Sequence, residues 1–92
     1  MKYYNVINSG IEKGFSFFDI LLTDKNDTND YLLFDNSGLN QEVIKISLLT
    51  ETGILDDIEV VVYSRFANGY VFRVLPITRV DGKIISQIPK KE

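Results

Sequence analysis

The sequence predicts an all-β fold, a small barrel or sandwich of five to seven short antiparallel strands forming a single domain over residues 1–92. The first observation is Asn68-Gly69, which lies between the β-branched and aromatic runs Ile58 to Phe66 and Tyr70 to Val80. Asn-Gly in that setting is the strongest short-range hairpin signal a chain carries. The second is the regular recurrence of short apolar segments separated by clusters of Asn, Asp, Ser and Gly, with no long amphipathic helical period between them. The third is composition: 92 residues, 45% hydrophobic and 25% charged, give one modest core rather than disorder.

Taken in order, Lys2 to Ile7 reads as a strand ended by Asn8-Ser9-Gly10. Phe15 to Thr23, with Gly14 just before it, is a longer strand whose apolar density points to burial on both faces near its middle. Asp24 to Asp30 is a polar loop rich in Asx residues that hydrogen-bond their own backbone. Tyr31 to Asp35 follows as a strand closed by Asn36-Ser37-Gly38. Glu42 to Thr50 reads as a strand with Ile44, Ile46 and Leu48 on one side; Leu39, Val43 and Ile46 leave a short helix as the alternative. Asp81-Gly82 is a second two-residue turn, leading into a last strand from Lys83 to Ile88. Pro76 has no amide hydrogen to donate, so it belongs at an edge, a bulge or a break in the ladder. Pro89 ends the last strand, and residues 89–92 are a short basic tail.

A two-residue turn at Asn68-Gly69 sets Ala67 opposite Tyr70, Arg65 opposite Phe72 and Tyr63 opposite Val74. Alternation then places Tyr63, Arg65, Tyr70 and Phe72 on one face and Val60, Val62, Val71, Leu75 and Ile77 on the other. The aliphatic face is the expected core side. The aromatic and cationic face has the chemistry of a platform that stacks bases and holds phosphates. Arg73 and Arg79 fall on the opposite face from Arg65 in this register and join it only where the strand twists or bulges near Pro76.

Without Cys the chain has no disulfide, thiolate nucleophile or cysteine zinc site, and without His it lacks the usual neutral-pH base and the commonest metal ligand. No partnered nucleophile or glycine-rich phosphate loop replaces them, so the reading is non-catalytic, with no cofactor and no metal. Asp24, Asn26, Thr28, Asp30 and Asp35 mimic the spacing of a calcium loop. The sixth position is Asn29 where glycine is required, and the twelfth is Asp35 rather than Glu, so a solvated loop is the better reading. Asp56, Asp57 and Glu59 read as a charged rim rather than an acid–base pair. No apolar run reaches membrane-helix length and the N-terminus shows no secretion signal, so the expectation is a cytoplasmic protein with no membrane role.

The formal charge of −3 is unevenly spread: residues 1–60 carry four Lys or Arg against eleven Asp or Glu, whereas residues 61–92 carry six against two. The basic second part keeps phosphate binding open, because association follows the local field as well as the total.

Three segments carry a likeness to a known family: Lys13-Gly14-Phe15-Ser16-Phe17-Phe18-Asp19, Val43-Ile44-Lys45-Ile46-Ser47-Leu48, and the hairpin from Ile58 to Val80. In layout they resemble the single-stranded DNA-binding, helix-destabilising proteins of filamentous bacteriophages, which are small, all-β and built on an OB-like barrel. The resemblance implies a homodimer that coats single strands, with Tyr70 as the aromatic after the turn, Arg79 as a backbone-contacting Arg, and Phe15 or Phe17 as the aromatic of the long strand. The family's Pro-Tyr after the glycine is missing here, and the loop at Asp24 to Asp30 is acidic where the family's binding wing is basic.

The expectation from sequence is therefore a single-stranded nucleic-acid-binding protein whose interface draws on Tyr63, Arg65, Tyr70, Phe72, Arg73, Arg79, Phe15 and Phe17. The alternative is a small acidic inhibitor or accessory protein, of the kind phages encode, that engages a basic surface on a host protein.

Overall fold

Lys13 and Gly14 both adopt positive φ, 53° and 83°, and make the tight turn between β1 (Tyr3–Glu12) and β2 (Phe15–Leu21), with Glu12 paired to Phe15. Two left-handed residues in a row match the right-handed twist of the strands they join. The computed structural model describes residues 3–22, 28–67 and 70–84. After β2 come α1 (Thr28–Asn40), β3 (Val43–Thr50), β4 (Gly53–Arg65), β5 (Val71–Pro76) and the short pair β6 (Arg79–Val80) and β7 (Lys83–Ile84). The first five strands form a closed barrel in the order β1-β2-β5-β4-β3, consistent with the expected small OB-like all-β class. An odd number of strands cannot close with every neighbour antiparallel, and the exception is β1 against β3, parallel over Tyr3–Asn5 and Ser47–Leu49.

The strand expected at Tyr31 to Asp35 is instead the middle of α1. Tyr31-Leu32-Leu33-Phe34 is a four-residue apolar run, and periodicity cannot tell strand from helix over so short a span. What decides is spacing to later residues: Phe34, Ser37 and Gly38 come onto one face and are buried, while Leu32, Leu33 and Leu39 point outward. Phe34 is the stopper. Fully buried, it meets Tyr4 edge-on at 5.2 Å and stacks on Phe72 at 5.2 Å, sealing one end of the barrel. At the helix C-terminus Gln41 adopts φ 54°, and the Glu42 amide donates to the Ser37 carbonyl at 3.0 Å, the closing bond of a Schellman cap.

The remaining strand expectations differ mainly in extent. β1 runs through Asn8-Ser9-Gly10 instead of ending there, with a bulge at Ile7. Glycine suits that strand position because a Cβ on Gly10 would sit 3.1 Å from the Phe17 ring. The strand over Glu42 to Thr50 is present as β3. Asp81 and Gly82 make the expected turn, at φ 52° and 79°. Pro76 ends β5, where the ladder stops. The Asn68-Gly69 turn and the last strand beyond Ile84 lie outside the described residues.

The core gathers Tyr4, Ile20, Leu22, Phe34, Ile46, Leu48, Val60, Val62, Phe72 and Val74 inside the barrel. The central strands are buried on their outer sides too, as Val61, Val71 and Leu75 show. This double burial overturns the face assignment. Arg65 does pair with Phe72, but one extra residue at Tyr63 sets Val62 against Val74 rather than Leu75. A one-residue slip exchanges the two faces of a strand, so Phe72 and Val74 turn inward with Val62, while Val71 and Leu75 turn outward.

Candidate functional site

The eight residues expected to form one interface lie in three places. Phe15, Phe17, Tyr63 and Arg73 meet on the outside of β2 and β5; Arg65, Tyr70 and Phe72 lie at the stoppered end near α1; and Arg79 sits on β6. The expected aromatic platform is not a single wet face. Phe72 is 1% exposed and stacked on Phe34, so no base can reach it.

The first cluster is built around a buried carboxylate. Asp19, 2% exposed, takes the Arg73 guanidinium in a two-pronged grip: Nε donates to Oδ1 at 2.8 Å and Nη2 to Oδ2 at 3.1 Å. Arg73 Nη1 donates to Glu12 at 2.5 Å, and Asn8 Nδ2 donates to Asp19 at 3.2 Å. The guanidinium lies 3.9 Å from the Phe17 ring centre and 5.3 Å from that of Phe66. Hydrogen bonding to Asp19 raises the Arg73 pKa above its ordinary value, against the opposing pull of burial. The crevice left beside it holds about 10 Å³, room for one water at most, so this cluster is structural packing. A signal for it was present in the sequence: an Asp inside Phe-Ser-Phe-Phe-Asp-Ile-Leu requires a buried cation or donor.

The other arginines are also engaged. Arg65 Nη1 donates to both carboxylate oxygens of Asp35, at 3.2 and 3.0 Å, across the groove between α1 and β4. Arg79 Nε donates to Glu59 at 2.7 Å and its Nη1 to the Gly82 carbonyl at 2.9 Å. The Arg79 hydrogen bond holds the Glu59 carboxyl below its ordinary pKa. All three arginines of the described residues are therefore spent on the protein's own carboxylates. Asp30 and Asp35, members of the calcium-like spacing, serve α1 instead: Asp30 accepts from the Tyr4 hydroxyl at 3.2 Å, and Asp35 holds Arg65. Among the described residues, no three acidic side chains are grouped to hold a metal ion, and no helix is long and apolar enough to cross a membrane.

Sequence reasoning missed the end of the barrel opposite Phe34. There the bulge at Ile7 carries β1 away from β3 after Asn5, and the β3–β4 hairpin extends beyond the core. Between them lies an open groove of about 460 Å³ floored by Val6, Phe18 and Leu55, with Thr50 and Glu51 on its wall. Of its lining residues Ile7, Glu51 and Leu55 are exposed, and so, elsewhere on β1 and the β3–β4 hairpin, are Ile11, Leu49, Ile54, Asp56 and Asp57. Among the described residues these three carboxylates have no cationic partner, in contrast to Asp19, Asp35 and Glu59. The turn at Asp57, φ 50°, inserts the extra residue that projects this stretch, and its amide donates to Ser47 Oγ at 3.1 Å.

Compared with known family models, curated proteins and solved structures, the chain has no match.

Proposed function

We propose that the protein is a non-catalytic binding module that engages a basic protein surface through the open, acidic end of its barrel. One observation carries this reading: among the described residues Glu51, Asp56 and Asp57 have no cationic partner and share the β3–β4 hairpin with exposed Leu49 and Ile54 on its outer face and Leu55 on its groove face, while the described arginines are bound internally. Apolar side chains ringed by one sign of charge suit association with a partner of the opposite sign, the charge speeding encounter and the apolar atoms holding the complex. This reading is preferred to single-stranded nucleic-acid binding because Phe72 is buried and Arg73 is engaged by Asp19.

The test is affinity capture from nuclease-treated lysate with the wild-type chain and with Glu51→Lys/Asp56→Lys/Asp57→Lys. A stoichiometric protein retained by the first and lost by the second is the expected result. Salt-sensitive binding of oligo-dT in fluorescence anisotropy, unchanged in the triple variant, would overturn it in favour of single-stranded nucleic acid.

A further inference from the structure

Of the ten residues in β1, only Tyr3–Asn5 pair with β3. From Val6 to Glu12 the strand pairs with β2 alone, so among the described residues its other edge carries unpaired backbone groups facing the groove. Proteins guard such edges with Lys, Pro or very short strands. Here the exposed edge reads Ile7-Asn8-Ser9-Gly10-Ile11, with neither Lys nor Pro, and Ile7 and Ile11 are 54% and 74% exposed. At roughly 3.3 Å per residue these five residues offer about 16 Å of strand. The side chains that would lie beneath an added strand are Val6, Phe18 and Leu55, and the wall carries Glu51 with no cation in the groove lining.

We infer that the partner binds in extended form, as a strand added along the free edge of β1, with alternate apolar side chains over Val6, Phe18 and Leu55 and with Lys or Arg facing Glu51. This rests on the proposed function and deepens it, from an acidic surface to a backbone-templated one. Main-chain hydrogen bonds supply affinity in such an addition, and alternate side chains supply specificity. Charge argues for a basic segment over a second copy of this chain, since a second copy's β1 edge, Ile7 to Ile11, carries no Lys or Arg to face Glu51.

The probes are ten-residue peptides alternating Lys with Val, Ile or Leu, the same peptides N-methylated at every second residue, and versions with Glu in place of Lys. Binding is followed by fluorescence polarisation and by amide shifts of the intact chain. The Lys peptides are expected to bind and to shift the amides of Val6–Ile11. N-methylation should abolish binding, and the Glu peptides should not bind. Ile11→Lys, at an exposed position that leaves the fold intact by circular dichroism, should weaken the Lys peptides about tenfold, the size of loss expected for one interface anchor. Equal binding of the N-methylated peptides, with shifts confined to Glu51, Asp56 and Asp57, would overturn strand addition while leaving the acidic-surface reading in place. Failure of every Lys peptide at millimolar concentration would also overturn strand addition. Concentration-dependent self-association abolished by Ile11→Lys would overturn it in favour of a second copy.

Discussion

Asp19 and Arg73 form a two-pronged ion pair on the outside of the barrel, joining β2 to β5 where the two residues are direct partners in the ladder. Asp19 is 2% exposed and the Arg73 side chain 20%. Removing one member of such a pair leaves a charge out of water without a partner, whereas replacing both with apolar groups of similar volume is often neutral. Arg73→Met is therefore expected to lower unfolding free energy by about 3 kcal/mol, and Asp19→Leu/Arg73→Met to recover most of the loss. Urea denaturation of both single variants and the double variant gives the coupling directly. A loss in the double variant equal to the sum of the two single losses would show that the pair is not coupled.

Glu59 and Arg79 couple β4 to β6 and should appear in the acid limb of stability. The Arg79 hydrogen bond lowers the folded-state pKa of Glu59, so the stabilisation is complete above the ordinary Glu value of about 4.3 and is lost as pH falls through the folded value. Carbon-13 titration of the side-chain carboxyl should place Glu59 below the ordinary glutamate value of about 4.3. Arg79→Gln should raise it toward that value and shift acid unfolding to higher pH. An unchanged Glu59 titration in Arg79→Gln would show that the contact does not persist in solution.

Much of the barrel was legible because turn chemistry and strand composition agree. Asp81-Gly82 makes its turn, β3 forms where Ile44, Ile46 and Leu48 alternate, and Pro76 ends its strand. Arg65 opposite Phe72 was correct as a pair and uninformative as a face, since the extra residue at Tyr63 leaves no mark in Val-Val-Tyr-Ser-Arg. Such a bulge is fixed by packing across strands distant in sequence, and in a strand buried on both sides alternation gives no warning of it. The helix was hidden for a related reason. Asn, Asp, Ser and Gly around Tyr31–Phe34 carry loop propensities that burial of Phe34 between Tyr4 and Phe72 overrides. The open mouth depends on β1 leaving β3, a tertiary event with no local signature.

Tyr31 offers a test of the stoppered end. Its ring packs against Tyr70 and Phe72 at 6.1 and 6.0 Å, and its hydroxyl is buried with no hydrogen-bond partner among the described residues. Burial, then the neighbouring Tyr70, raises the Tyr31 pKa above its ordinary value. The stabilisation linked to its neutral form is thus complete below the ordinary tyrosine value of about 10 and is lost as pH rises through the folded value. Tyr31→Phe keeps the ring contacts and removes the unsatisfied oxygen, so it is expected to raise the unfolding midpoint and to flatten the alkaline limb of the stability curve. A destabilised Tyr31→Phe would mean that the hydroxyl is satisfied in solution.

The cap of α1 yields the prediction with the fewest confounding contacts. Gln41 holds φ 54°, a left-handed conformation that costs a residue with a Cβ about 1–2 kcal/mol and costs glycine almost nothing. Glycine also loses more chain entropy on folding, which offsets part of that gain. The net expectation for Gln41→Gly is stabilisation of about 0.5–1 kcal/mol, with the Glu42-to-Ser37 closing bond intact. Gly14→Ala is the mirror test, because φ there is 83° and an added Cβ would touch nothing within 4 Å, so the backbone alone sets the effect. It should destabilise by about 1 kcal/mol. Thermal and urea unfolding of the two variants should move in opposite directions; movement in the same direction would show that one of these left-handed turns is not populated in solution.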